Sequence, residues 1–182
     1  MEEFAFILDN LRQGRTSDRT FNRSPLVLGV GESEFKLLEM IPKDEAIITV
    51  GDRVYIGKDL AKRDKIMTVK RRIGYDELTS SAITELPFIL ESIIKSQEAT
   101  FINFFNKADS INSRMHTLEL LQGLGNKTMW AIIDERKKQP FSSFKDLTDR
   151  VKTVHHPEKM IALRIVEEIS GKNDKYRIFV RQ

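Results

Sequence analysis

The sequence predicts an α+β protein in which a small antiparallel β-barrel precedes an α-helical domain. Three observations carry this expectation. Short apolar segments separated by turn signals crowd the first 75 residues, which is the pattern of an all-β unit. From Asp76 onward apolar residues recur at helical spacing. Around Gly123-Leu124-Gly125 two helical segments meet in a tight hairpin.

The strand segments are residues 3–8, 25–30, 35–41, 46–50, 53–57 and 65–73. Gly51-Asp52 turns the fourth into the fifth, and Arg53-Val-Tyr-Ile-Gly57 alternates polar with apolar as a half-buried strand does. Five or six short strands of this kind suit a barrel over residues 1–75, OB-like as first choice and SH3-like as second. Thr79 is placed to cap a short helix through Glu85, and Pro87 fits the first turn of the next. Leu86, Leu90, Ile93, Ile94, Phe101, Phe104 and Phe105 mark one apolar face, interrupted by Ser96-Gln97-Glu98, where a break is expected. Residues 76–109 therefore connect the barrel to a helical domain over 110–171. Its last helix runs from Pro157 to Ser170, with Ile161, Ile165 and Ile169 on one stripe and Gly171 stopping it. Lys175–Arg181 reads as a strand, so the tail 172–182 is expected to pair with the barrel.

Composition sets limits on function. Lys and Arg number 30 against 27 Asp and Glu, a formal charge of +3, while 40% apolar residues can fill a real core. With no cysteine there is no disulfide framework, thiolate metal site or Cys nucleophile. No apolar run approaches the length of a membrane helix. The opening Met1-Glu2-Glu3 lacks a cationic leader, so a cytoplasmic setting is expected.

The most specific segment is Leu120–Arg136. A short apolar helix over 117–121 leads into Gly123-Leu124-Gly125, and Asn126 opens a second helix with Met129, Ile132, Ile133 and Arg136 at spacings of three and four. Two glycines permit a sharp turn with φ > 0 and leave backbone N–H groups unobstructed by any Cβ. Leu124 is suited to plug the groove between the helices. The unpaired N–H groups at the start of the second helix, with its dipole, favour a phosphate.

This segment resembles the helix-hairpin-helix motif of sequence-independent nucleic-acid binders. The apolar pair, the glycine hairpin, Lys127, Ala131, Ile132-Ile133 and Arg136 follow the motif in order, and Pro140-Phe141-Ser-Ser-Phe144-Lys-Asp146-Leu147 resembles the continuation of its paired form. Gln122 departs from the motif, which often has Pro there. The second hairpin of the paired form would fall at Thr153-Val-His-His-Pro157, which has no glycine pair, so that unit is expected to keep the packing and to lose or change the phosphate contact. The chain also resembles an uncharacterised archaeal family that joins an N-terminal barrel to such a module. The matching segments are Gly51–Gly57, Arg72-Ile-Gly-Tyr75, Thr84-Glu-Leu-Pro87, Phe104-Phe-Asn-Lys107, His116–Leu121 and the hairpin. That resemblance implies an architecture and a suspected nucleic-acid role.

Positive charge concentrates in two barrel segments. Arg12, Arg15, Arg19 and Arg23 surround Phe21 after the first strand. Lys58, Lys62, Arg63, Lys65, Lys70, Arg71 and Arg72 form the second set. In an OB-like barrel such loops flank the binding face, where Phe21 and Tyr55 are candidates to stack on bases. His116, His155 and His156 show no metal-ligand spacing, and no nucleotide-binding or hydrolase fingerprint is present. A base-excision glycosylase would need Asp146 or Asp149 as its catalytic acid, without the glycine- and proline-bearing approach that such an Asp has. Trp130 has a core reading too, because it lies on the second helix, where one of its neighbours, Ile133, is expected to be buried.

The expected function is sequence-nonspecific nucleic-acid binding with no cofactor, no metal and no turnover. Gly123, Leu124, Gly125, Asn126 and Lys127 form its phosphate site and the basic barrel loops extend the contact. RNA is preferred to DNA, because a barrel with aromatic and basic loops suits unpaired or structured RNA. A hairpin that grips duplex DNA, or one that contacts protein in an RNA-processing or ribosomal assembly, is the alternative.

Overall fold

Five strands form one antiparallel sheet in the order β4-β1-β2-β3-β5. They are β1 (Phe4–Leu11), β2 (Leu26–Gly31), β3 (Leu37–Pro42), β4 (Arg53–Tyr55) and β5 (Ile66–Arg72). The computed structural model describes residues 1–15, 24–172 and 175–181. The central strand β2 is buried along its whole length, as its unbroken Leu-Val-Leu-Gly-Val-Gly requires. The edge strand β5 buries Ile66 and exposes most of its remainder. Register shifts between Ile7 and Asp9 on β1, and at two points where β3 meets β5, bend the strands and curl the sheet. Among the described residues β4 and β5 do not pair with each other, so the expected closed barrel is an open, curled half-barrel.

The chain divides into two units, Met1–Ile89 with Ile165–Gln182, and Leu90–Arg164. In the first unit Ala5, Ile7, Val27, Met40, Val54 and Ile66 make the centre of the sheet core. Residues 46–50 have the apolar content of a strand but make no ladder. Ile48 turns into the core while Ile47 is 82% exposed, and the place beside β1 is taken by β4, with Phe4 opposite Tyr55.

Three buried carboxylates organise this unit. Glu2 accepts hydrogen bonds from the backbone N–H of Ser33 and Glu34, each at 2.8 Å, in the β2–β3 turn. A Cβ at Gly31 would stand 2.0 Å from Glu2 Oε1, so the glycine makes room for that carboxylate. Glu39 on β3 gathers Arg15 at 2.6 Å, Lys70 at 3.1 Å and Arg71 at 3.3 Å. Burial pushes the Glu39 carboxyl up, but hydrogen bonds from Arg15 and Lys70 outweigh it and hold the group below the ordinary carboxylate range. Glu168 is fully buried and accepts the N–H groups of Ile178, Phe179 and Val180 at 2.8, 3.0 and 2.9 Å. The tail is therefore no sixth strand. Three of its amides bond to a carboxylate, and residues 175–181 join no sheet.

α1 (Ser80–Ser96) is a single helix that runs through Pro87, where two helices were expected. Thr79 does cap it, its Oγ1 accepting the N–H of Ala82 at 3.1 Å. Ala82, Leu86, Ile89, Leu90, Ile93 and Ile94 are buried along one face, and that burial carries the helix past the N–H that proline lacks. The break falls at Gln97, as expected, before α2 (Glu98–Lys107).

In the second unit a hairpin of β6 (Ser110–Asn112) and β7 (Met115–His116) follows α2, turned by Asn112, whose Oδ1 accepts the N–H of Arg114 at 2.8 Å. One turn of 3₁₀ helix at Thr117–Leu120 leads to α3 (Asn126–Lys138), α4 (Phe144–Arg150) and α5 (Pro157–Ser170). Asn106 mimics a strand partner for Phe141, accepting its N–H at 2.8 Å and donating to its C=O at 2.9 Å. Arg150 closes the C-terminal end of α3 by donating to the carbonyls of Glu135 and Gln139 at 2.6 and 2.7 Å. Among the described residues no helix is long and apolar enough to cross a membrane.

Replacing Glu168 with Ala removes the acceptor for three amides at once. The expected result is destabilisation by about 1–3 kcal/mol. Amide exchange should accelerate at Ile178, Phe179 and Val180, read by hydrogen–deuterium exchange, with little change in β2.

Candidate nucleic-acid interface

The hairpin is built from three leucines and two glycines. Leu118, Leu121 and Leu124 are buried, while Gln122, Gly123, Gly125, Asn126 and Lys127 are exposed. The N–H of Leu124 returns to the C=O of Leu121 at 3.1 Å, which closes the turn. Gly123 lies at φ +84°, in the left-handed region where a side chain is strained. Gly125 is the N-cap residue of α3 at φ −82° and ψ 174°, and no side chain caps the helix. Its Cβ position is open, with nothing within 4 Å. The first N–H groups of α3 therefore have neither a side-chain cap nor an intrahelical acceptor.

The connection between α4 and α5 repeats the turn without glycine. Val154 is buried as Leu124 is, and its N–H returns to Val151 at 3.0 Å. His156 adopts φ +51° without the freedom of glycine. A hydroxyl–hydroxyl hydrogen bond of 2.9 Å joins Thr128, at the start of α3, to Thr153 in this second turn.

The basic residues divide into committed and uncommitted groups. Arg15, Lys70 and Arg71 converge on Glu39, and Arg71 also reaches Glu77 at 2.7 Å. Arg63 spends its guanidinium on the carbonyls of Ile56, Gly57 and Met67. Lys65 pairs with Asp52 at 2.7 Å, holding that carboxyl below its ordinary range, and Lys62 lies 3.6 Å from Asp59. Arg12, Lys58, Arg72 and Lys127 are exposed and have no partner among the described residues. Arg19, Arg23 and Phe21 lie outside the described residues. Tyr55 is half-buried, packed edge-on against Phe4 with centroids 5.3 Å apart.

Two features escaped the sequence. Trp130 is 52% exposed, not core. It sits one turn after Asn126 on α3, off the buried Met129–Ile132–Ile133 stripe, and that offset was the available signal. The β6–β7 hairpin faces this part of α3 across a groove of about 510 Å³ lined by Arg114, His116, Asn126, Trp130 and Arg136, among others. His116 is the N-cap of the 3₁₀ turn. Its Nδ1 accepts the N–H of Leu118 at 3.1 Å, and its own N–H donates to Glu119 at 2.7 Å. Burial first, then the nearby Arg136, lowers the His116 pKa, so the ring is held neutral with its proton on Nε2. Asp146 accepts the N–H of Ser142 and pairs with Arg150, and Asp149 pairs with Lys145, so both carboxylates are engaged in local helix contacts. Among the described residues no group of three or more His, Asp or Glu could hold a metal.

A curled, open antiparallel sheet joined to a helical unit that carries a glycine hairpin defines the class of α+β protein to which this chain conforms. A family model described as a protein of unknown function (DUF655) matches residues 1–181, and the chain belongs to that family. It is 45% identical over 181 residues to the uncharacterised protein MJ0038 of Methanocaldococcus jannaschii, covering 99% of this chain and 80% of the relative. It also matches the crystal structure of Af1531 from Archaeoglobus fulgidus, a DUF655 protein. The TM-score is 0.91 at 47% identity, over 99% of this chain and all of the other.

The neutral His116 cap makes stability sensitive to acid. Because its folded pKa lies below the ordinary 6.5, the contribution is full above that pH and is lost as pH falls from 6.5 through the folded value. Denaturant midpoints measured from pH 8 down to pH 5 should show this slope. His116→Asn keeps a capping oxygen and should flatten it.

Proposed function

We propose that this chain is a sequence-nonspecific nucleic-acid-binding protein of the cytoplasm, with RNA preferred to DNA, and that it binds without turnover. The observation that carries the reading is the Gly123-Leu124-Gly125 turn. Its apolar residue is buried, its glycines are exposed, and the helix behind it starts uncapped. In the helix-hairpin-helix reading the amides of residues 125–127 hold one phosphate, with Lys127 beside them as counter-charge. The Val154 turn keeps the packing of a second hairpin and presents His155 and His156 in place of glycines. The Thr128–Thr153 bond keeps the two turns adjacent.

In the first unit the curled sheet is left open between β4 and β5, and its β3–β5 pair is antiparallel. Among the described residues of the two basic segments, Arg12, Lys58 and Arg72 are the cations without a partner and so are free to extend contact along a strand. Arg15, Arg63, Lys65, Lys70 and Arg71 act first as structural braces, so the binding charge is smaller than the sequence suggests. A protein-contact role in an RNA-related assembly is the second reading. Ile47, 82% exposed, and Met67, 50% exposed, favour it, because both border a groove of about 600 Å³ in the first unit.

Titration against single-stranded RNA, double-stranded RNA and duplex DNA at several salt concentrations tests the proposal. Binding should weaken linearly on a log–log plot against salt, most tightly held for RNA. Gly125→Asp is the informative variant. Its carboxylate would cap α3 itself and occupy the anion position, so affinity should fall about tenfold while thermal stability holds or rises by a few tenths of a kcal/mol. Absence of binding at low salt, or wild-type affinity in the variant, overturns the proposal.

A further inference from the structure

The groove between the β6–β7 hairpin and α3 has the chemistry of a site for one unpaired base. Trp130 is the chain's single tryptophan and leaves half of its large ring uncovered on the groove wall. Exposed indole of this kind is the platform on which single-stranded nucleic acid stacks. An independent observation comes from His116, which is 7% exposed and lines the same groove. Its Nδ1 is spent on Leu118, which places the proton on Nε2, and that N–H has no partner among the described residues. The ring is otherwise packed away, so this donor keeps only its opening toward the groove, where a ligand acceptor can take the place of solvent.

The charges lining the groove select what enters. Arg114 is exposed, and Arg136 has one nitrogen on the Phe105 carbonyl at 3.0 Å, while Asp109 and Glu119 contribute carboxylates. A groove with both signs suits a neutral group carrying donors and acceptors, and the carboxylates repel a phosphate. The volume, about 510 Å³, lies within the range of small-ligand clefts. Asn126 belongs to the groove lining and also opens α3, so the groove adjoins the hairpin amides.

We propose that this groove receives an unpaired nucleobase of a single strand, stacked on Trp130 and accepting a hydrogen bond from His116 Nε2, with Arg114 at the rim toward the backbone. This rests on the nucleic-acid reading above and adds that the target is unpaired at the hairpin. Because the chain has one tryptophan, its emission reports the site alone. Full-length protein is titrated with a labelled single-stranded RNA, following anisotropy for binding and tryptophan emission for stacking. The same RNA with an abasic linker and a fully paired duplex serve as comparators. The expected result is quenching by the single strand that the abasic RNA and the duplex do not reproduce. Trp130→Ala should lower affinity about tenfold, with Trp130→Phe recovering most of it. Binding by anisotropy with unchanged emission and wild-type affinity in Trp130→Ala overturns the base site and leaves the hairpin reading standing. Equal quenching by duplex overturns the requirement for an unpaired base. No binding of any nucleic acid at low salt overturns both.

Discussion

Glu39 is the constraint around which the first unit is arranged. A carboxylate with 1% of its side chain exposed, in the middle of β3, is tolerable only when its charge is met at close range. Arg15 comes from the segment after β1, Lys70 and Arg71 from β5, and Arg71 reaches on to Glu77 ahead of α1. Arg15 also donates to the Glu77 carbonyl at 2.8 Å. One buried charge thus fixes the position of three segments far apart in sequence. Removing Glu39 would leave three cations gathered without the carboxylate they share, so the cluster depends on that one side chain. The same arrangement explains why a segment rich in Lys and Arg is a poor measure of charge available to a ligand.

Glu2 and Glu168 solve a different problem with the same functional group. Each satisfies backbone N–H groups that no strand or helix accepts, one in the β2–β3 turn and one in the tail. A carboxylate that receives several amides replaces secondary structure at places where the chain has too little length or the wrong geometry for it. Arg150 and Asn106 serve the second unit in the complementary sense, meeting carbonyls and a lone peptide group. Side chains, and not added strands or turns, complete the hydrogen bonding of this fold.

Locally determined features were legible in the sequence. The Thr79 cap, the break at Gln97, the bounds of α5 at Pro157 and Ser170, and the glycine turn between Leu121 and Asn126 all rest on chemistry within a few residues. Features set at a distance were not. The apolar run 46–50 has strand composition, but the edge of β1 is occupied by β4. The tail 175–181 reads as a strand because its pattern cannot reveal that Glu168 will take its amides. Pro87 suggested a helix boundary, and the burial of Leu86, Leu90 and Ile93 overrode it. At the site, Trp130 lies near Ile133, which is core, and the β6–β7 hairpin that forms the facing wall has only five residues between its outer ends, too short for a strand pattern, with Asn112-Ser113 as its one turn signal. The cations were visible by number and position, but their engagement with Glu39, Asp52 and backbone carbonyls was not.

The division of the chain has a consequence for synthesis. Residues 90–164 are contiguous, so that unit has all its parts once they have left the ribosome. The sheet unit is discontinuous. Its strands emerge before residues 90–164, whereas Ile165 onward, with Glu168 and the amides it receives, emerge after them. The whole of the second unit is therefore made while the sheet stands without the segment that finishes it.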